Sequence, residues 1–361
     1  MAKRKTRADG LYEATVRING KKKHFYGKTL REARAKRDEY KALMENCPLA
    51  EESITLSEWV MAWVENVKTT VSPVTYKSYY YTLRRYIQNA PIGHIVLHEL
   101  SPTMFRNYFA ELLESKSPRT VNYLHTVLNQ ALKQAIEDGA MLRNPLTNIK
   151  HAKQERKEIE TLSRQQIDEM LSLLPDRWQR LLFRIAVYTG LRLSEILGLD
   201  RDKSFDFDKN TLTVFQSVIR TDEGLVLSEA LKNASSRRTI SVDKETMSQI
   251  RRQKIRTLQL KMQNKNFKDM GLLFCRSNGQ PLSRNTIEKL ARKTFDRMGL
   301  PTFTFHGLRH THATLLLKSG VHYKIVQYRL GHSTFQQTMD TYSHVTPIME
   351  QEVVKVIEHD A

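Results

Sequence analysis

Between residues 53 and 150 the chain carries four helix starts in close succession, and they limit its fold more than any other feature. Thr55-x-x-Glu58 has the pattern of a capping box: the hydroxyl accepts from the N–H three residues on, and the glutamate reaches back to the threonine N–H. Ser72-Pro73, Ser101-Pro102 and Ser117-Pro118 each place a capping hydroxyl before a proline, whose fixed φ and missing N–H suit the first helical position. Behind each start runs an apolar stripe at three- and four-residue spacing: Trp59, Trp63 and Val67; Tyr76, Tyr80, Leu83 and Ile87; Phe105, Phe109 and Leu112; Val121, Leu124, Leu128 and Leu132. Four such helices predict a compact bundle. Its aromatic residues are read as core, and Lys77, Arg84, Arg85, Lys116 and Arg119 as outward groups available to a ligand.

A strongly basic segment, residues 1–48, precedes the bundle. Leu11 to Ile18 is rich in strand formers, Asn19-Gly20 favours a two-residue hairpin turn, and Lys21, Lys22 and Lys23 open the returning strand. Thr29-x-x-Glu32 then starts a helix predicted to reach about Glu45. Residues 1–46 hold fourteen Lys and Arg against six acids. A hairpin with one helix is marginal alone and gains from a bound ligand. With Arg17, Lys21, Lys22 and Lys23 on its strands, the ligand expected is a phosphate backbone, the sheet lying in a groove of DNA. A solvated extension is the alternative.

Residues 151–161 are charged and aperiodic and read as a linker. Residues 162–347 are predicted to form the largest domain. Ser163-x-x-Gln166 opens a helix through Met170 and Leu174, and an apolar helix from Trp178 to Tyr188 stops at Thr189-Gly190. Residues 211–219 and 237–242 read as strands of one small sheet, separated by a loop carrying Lys232; helices follow over 243–265 and 283–298. Leu272-Leu273-Phe274 reads as a short strand or loop. The tail, residues 348–361, sets Ile348, Val353, Val354, Val356 and Ile357 among Glu350, Glu352, Glu358 and Asp360, and reads as a helix docking on its own core or on a neighbouring subunit. The fold class is therefore multidomain and mainly α: a hairpin-plus-helix domain, a four-helix-type domain, and a mixed domain, mostly helical with a small sheet.

The chain has 58 Lys and Arg against 39 Asp and Glu, a formal net charge of +19, which points to a polyanionic partner. That charge is spread along the sequence rather than gathered in one amphipathic helix, which favours nucleic acid over a membrane surface. No apolar run approaches the ~18 residues of a membrane span. The basic start, MAKRKTRADG, lacks the apolar stretch of a secretory signal. Cys47 and Cys275 are too few for a disulfide framework or a zinc site and suggest a reducing cytoplasm.

Candidate chemistry gathers between Phe303 and Thr346, where His306, Arg309, His310, His332 and Tyr342 sit on an apolar helical framework punctuated by Gly320 and Gly331. His306-x-x-Arg309 puts two cationic or donor groups on one helical face. Arg192 lies in an apolar context with Glu195 one turn on, a spacing that fits either an oriented arginine or a surface ion pair. Taken together, Arg192, His306, Arg309 and His332 form a donor set suited to phosphate oxygens. Phosphoryl transfer needs chiefly positioning and charge stabilisation. Without a carboxylate cluster no metal site is expected, so a side chain must serve as nucleophile. Tyr342 is the candidate, its phenolate (free pKa about 10) favoured by nearby arginines. Lys232 is placed to protonate a departing oxygen.

The segments TGLRLSEILGL, LKNASSRRTISV, HGLRHTHAT and LGHSTFQQTMDTYSHV closely resemble the tyrosine recombinases, in the branch of phage and conjugative-transposon integrases. The resemblance covers the whole of residues 162–347 and, less specifically, the bundle as a core-site-binding domain and residues 1–48 as an arm-site-binding domain. It implies Arg192, Lys232, His306, Arg309, His332 and Tyr342 as the catalytic set, with Tyr342 the nucleophile and Glu195 supporting Arg192. The lysine box reads Lys232-Asn233-Ala234 where the family often has Lys-Thr, so Arg237 and Lys244 stand as alternatives to Lys232; Tyr328 is a rival to Tyr342 but precedes the Leu330-Gly331-His332 box. The implied activity is site-specific recombination through a 3′-phosphotyrosine, with no cofactor, on a homotetramer holding two DNA duplexes. An accessory excisionase or DNA-bending host factor is expected, in a bacterial, nucleoid-associated setting. A type IB topoisomerase or a non-enzymatic DNA-binding regulator are the other readings.

Overall fold

The computed structural model describes residues 10–18, 21–46, 54–154, 160–221, 224–229 and 237–331, and the chain divides into two units, Met1–Arg156 and Lys157–Ala361. In the first, strands β1 (Tyr12–Ile18) and β2 (Lys21–Gly27) pair antiparallel, with Tyr12 opposite Gly27 and Ile18 opposite Lys21. Period-2 alternation sends Ala14 and Phe25 toward helix α1 (Leu30–Asn46), where Phe25 meets the Tyr40 ring at 5.2 Å and Ala33 is buried. The opposite face exposes Glu13, Thr15, Arg17, Lys22, His24 and Tyr26. Thr29 caps α1 as expected, but the Glu32 carboxylate accepts from the Lys28 N–H rather than from that of Thr29.

The four predicted helices follow: α2 (Leu56–Asn66), α3 (Pro73–Leu83), α4 (Pro102–Ser115) and α5 (Pro118–Glu137). Each begins at its predicted cap, with the Thr55, Ser72, Ser101 and Ser117 hydroxyls accepting from the N–H three residues on. Leu56, Val60, Trp63, Leu83, Ile87, Phe105, Phe109, Leu124, Leu128 and Leu132 form one core. The helical path runs on through a wide turn, Arg84–Gln88, which keeps Ile87 buried while Arg84 and Arg85 stay exposed.

In the second unit α6 (Arg164–Leu173), with the predicted capping box at Ser163, packs on α7 (Arg177–Thr189); Gly190 ends α7 in the left-handed conformation, and α8 (Leu193–Leu197) follows. Strands β3 (Phe205–Asp206) and β4 (Thr211–Val214) come next, then β5 (Ser217–Thr221), β6 (Gly224–Ser228) and β7 (Arg238–Ser241). The remaining helices are α9 (Lys244–Gln263), α10 (Arg284–Arg297), α11 (Gly307–Lys318) and α12 (Tyr323–Leu330). Two expectations need correction. The strand predicted over 211–219 breaks after Val214, because the buried Gln216 side chain turns inward to donate to Gly198 O at 2.7 Å. The described residues of the second unit accordingly hold two small antiparallel sheets rather than one, β3-β4-β7 and the β5-β6 hairpin. Leu272 to Phe274 are buried, with Leu273 donating to Leu199 O at 2.9 Å and only a single bridge from Asp200 to Leu272. Among the described residues no helix is long and apolar enough to cross a membrane.

Candidate active site

A chain reversal at Gly190 brings distant residues together. Gly190 has φ +67°, and a Cβ there would lie 2.6 Å from His312 Cδ2 and 2.8 Å from Leu330 Cδ2, so only glycine lets α7 end against α11 and α12. The reversal places Arg192 at the start of α8. Its N–H donates to Glu195 Oε2 at 2.9 Å and its Nη1 to Glu195 Oε1 at 2.8 Å, the oriented pair rather than the surface ion pair, since Glu195 is only 3% exposed. The Arg192 side chain itself keeps 37% of its surface exposed.

His306 sits at the head of α11 and Arg309 in its first turn. The two share a cavity of about 290 Å³ with Arg192, Ser194 and Arg284. Arg309 is 3% exposed, donating through Nη1 to Gly190 O at 2.8 Å and through Nη2 to Leu330 O at 2.6 Å. Burial, and then the charges of Arg309, Arg192 and Arg284, hold the His306 imidazole below its usual pKa. It therefore meets the cavity as a neutral donor or acceptor, not as the cation that the His306-x-x-Arg309 spacing also allowed. His310 turns its ring edge-on to that of His306 at 4.9 Å.

Lys232, His332 and Tyr342 lie outside the described residues. Of the alternatives to Lys232, Arg237 and Lys244 are both exposed and neither lines the cavity. Tyr328 packs against β7, its hydroxyl donating to Thr239 O at 3.2 Å.

Two arginines escaped the sequence reading. Arg284 lines the cavity while paired with Glu288 at 2.7 Å. Arg238, with no side-chain exposure, donates to both Glu195 oxygens, Nη2 to Oε2 at 2.9 Å and Nη1 to Oε1 at 3.3 Å. Burial alone would raise the Glu195 pKa, but Arg238 and then Arg192 outweigh it and keep the carboxyl below its usual range. Strand alternation was the available signal: Arg238 shares the inward face of β7 with Ile240, and an arginine there requires a buried acid.

In the first unit, Arg17 and Lys22 face each other across the exposed side of the hairpin. Lys23 lies on the α1 side instead, its Nζ 4.2 Å from the centre of the Tyr40 ring. The side chain of Lys21 lies outside the described residues. Arg84 and Arg119 are exposed, and Lys77 and Lys116 are half-buried rather than fully outward.

Residues 160–348, just over half of the chain, match the phage integrase family, and residues 55–153 match the phage integrase SAM-like domain. A tyrosine recombinase XerC-like protein of Caldanaerobacter subterraneus subsp. tengcongensis is 29% identical over an alignment of 373 positions, gaps included, covering 96% of this chain and 95% of its own. The integrase of transposon Tn1549, solved in complex with a circular intermediate DNA, superposes with a TM-score of 0.70 at 22% identity, over 83% of this chain and 99% of that one. A lambda integrase tetramer bound to a Holliday junction gives 0.59 at 17% identity, over 94% and 96%. The two solved structures share the fold.

Proposed function

The chain belongs to the phage integrase family and is a site-specific tyrosine recombinase, an enzyme that breaks and rejoins DNA, and on that premise we propose that Tyr342 is its nucleophile, in an integrase of a mobile element or prophage. The observation that carries the assignment is the cavity where Arg192, His306 and Arg309 converge from distant parts of the sequence, with Arg192 oriented by a buried carboxylate. Two guanidiniums beside an imidazole match the non-bridging oxygens of a phosphodiester, and His332 adds a further donor.

The phenol oxygen of Tyr342 attacks the scissile phosphorus. A P–O bond to the tyrosine forms, the bond to the 5′-oxygen breaks, and Lys232 supplies that oxygen with a proton. The phenol proton passes to a base, a role for which neutral His306 is suited. The product is a 3′-phosphotyrosine beside a free 5′-hydroxyl. In the return step a partner strand's 5′-hydroxyl attacks that phosphorus and Tyr342 leaves. One ester replaces another, so the exchange needs no ATP and draws on no cofactor.

The substrate is duplex DNA. The bundle, residues 53–150, meets core-type sites through groups such as Lys77, Arg84 and Arg119; residues 1–48 meet arm-type sites through the exposed hairpin face of Arg17 and Lys22, with Lys21 and Lys23 beside it. Residues 151–161 link the bundle to the catalytic domain, 162–347, and residues 348–361 pack within the assembly, on their own or a neighbouring subunit. The chain acts as a homotetramer on two duplexes, in the cytoplasm at the nucleoid, with an excisionase or DNA-bending factor setting direction.

A plasmid bearing two direct repeats of the DNA that flanks the gene tests this reading. Excision of the intervening segment should require both repeats, and a chain lacking residues 1–48 should keep core-site binding while losing arm-site binding. Relaxation of a plasmid without repeats, with no excision from the repeated one, would assign a topoisomerase reaction instead.

A further inference from the structure

The last carbonyls of a helix lack partners within it and carry the negative end of its dipole. At the end of α12 three consecutive carbonyls each receive an arginine from a different element. Arg329 O accepts from Arg238 Nε at 2.6 Å, Leu330 O from Arg309 Nη2 at 2.6 Å, and Gly331 O from Arg192 Nη2 at 3.3 Å. The next residue in the chain is His332.

We propose that Arg238 is a positioning residue of the recombinase: from β7 it clasps the end of α12, and it keeps Glu195 compensated so that Arg192 is free to turn to the phosphate. The inference rests on the proposed roles of Arg192 and His332. Arg238 is wholly enclosed and cannot reach DNA, so it acts only through its neighbours.

Of the two arginines on Glu195, Arg192 alone reaches the cavity. When Arg192 swings toward a bound phosphate it lengthens its bonds to Glu195 and Gly331 O. Were it the sole partner, that motion would leave a buried carboxylate without a counter-charge, which is strongly unfavourable. Arg238 stays in place, bonded to both carboxylate oxygens, and removes that cost. Its Nε bond meanwhile holds Arg329 O as Arg192 lets go of Gly331 O, so the peptide leading to His332 keeps its place.

The test compares wild type, Arg238→Gln and Arg238→Lys, each as the full chain, on a nicked suicide duplex made from the gene's flanking DNA. Affinity, melting temperature and single-turnover formation of the covalent adduct are measured. Arg238→Gln should form adduct about 100-fold more slowly at saturating DNA, as expected for a misplaced reacting group, with its dissociation constant within about twofold of wild type. Arg238→Lys keeps a charge for Glu195 and gives up the planar fork, so it should recover part of that rate. It also keeps the test open if the glutamine variant does not fold. Wild-type rates in the folded variants would overturn the proposal, as would rate and affinity falling together in proportion to the folded fraction. Absence of adduct from the wild type would instead sink the site assignment on which the proposal rests.

Discussion

Glu195 and His312 are both buried near the site, and their surroundings fix opposite charge states. Glu195 is held as a carboxylate between Arg238 and Arg192. His312 is held neutral: burial, then Arg329 and Arg309, push its pKa down to about 3, while its Nδ1 lies 3.0 Å from Val187 O as donor and Arg329 Nε points at its Nε2 from 3.4 Å. Unfolding returns that imidazole to its ordinary 6.5. As pH falls below that value the unfolded chain takes up a proton that the folded chain refuses. The His312 contribution is thus fully present above 6.5 and is lost toward 3, at up to ~1.4 kcal/mol per pH unit. Urea denaturation between pH 7 and pH 5 should show this loss, and His312→Asn should flatten the slope by about one proton. An unchanged slope would mean that His312 titrates alike in the folded and the unfolded chain. None of this was legible beforehand, because His312 fits the apolar spacing of α11 and only the three-dimensional neighbours reveal its hydrogen bonds. Arg192 with Glu195 was legible, since both lie within one turn of α8. Arg238, some forty positions further on, was legible only as an inward-facing arginine of β7, not as the partner of Glu195.

Elements whose cause is local came through at the sequence level. The hydroxyls of Thr55, Ser72, Ser101, Ser117 and Ser163 each start the helix that their spacing predicts. The β1-β2 hairpin came through as well, but the strands of the second unit did so only in part, because the break after Val214 depends on Gln216 reaching Gly198, and β6 offers no alternation, all five of its residues being half-buried. Gly190 joins the two levels: the sequence marks it as a helix stop, and the structure shows why no other residue serves. Gly190→Ala would carry a left-handed alanine and a Cβ inside contact distance of His312 and Leu330. We expect a loss of about 3 kcal/mol, ~1 from the backbone and the rest from overpacking, read as a shift of the urea midpoint. A loss under about 1 kcal/mol would show that α11 and α12 give way more easily than their packing suggests.

At the scale of the molecule, a net charge of +19 indicated a polyanion, and membership of the phage integrase family supplies the reaction that uses it. The described residues gather half of the expected catalytic set, Arg192, His306 and Arg309, into one cavity. In the sequence His332 comes next after Gly331, whose carbonyl accepts from Arg192, Tyr342 stands ten residues further on, and Lys232 precedes the strand that carries Arg238. One measurement bears most directly on the account. A nicked suicide duplex from the gene's flanking DNA is incubated with the full chain, and the covalent adduct is digested and its modified peptide sequenced by mass spectrometry. The account predicts a phosphodiester on Tyr342, and no adduct from Tyr342→Phe at unchanged DNA affinity. An adduct on Tyr328, or one that survives Tyr342→Phe, would contradict it.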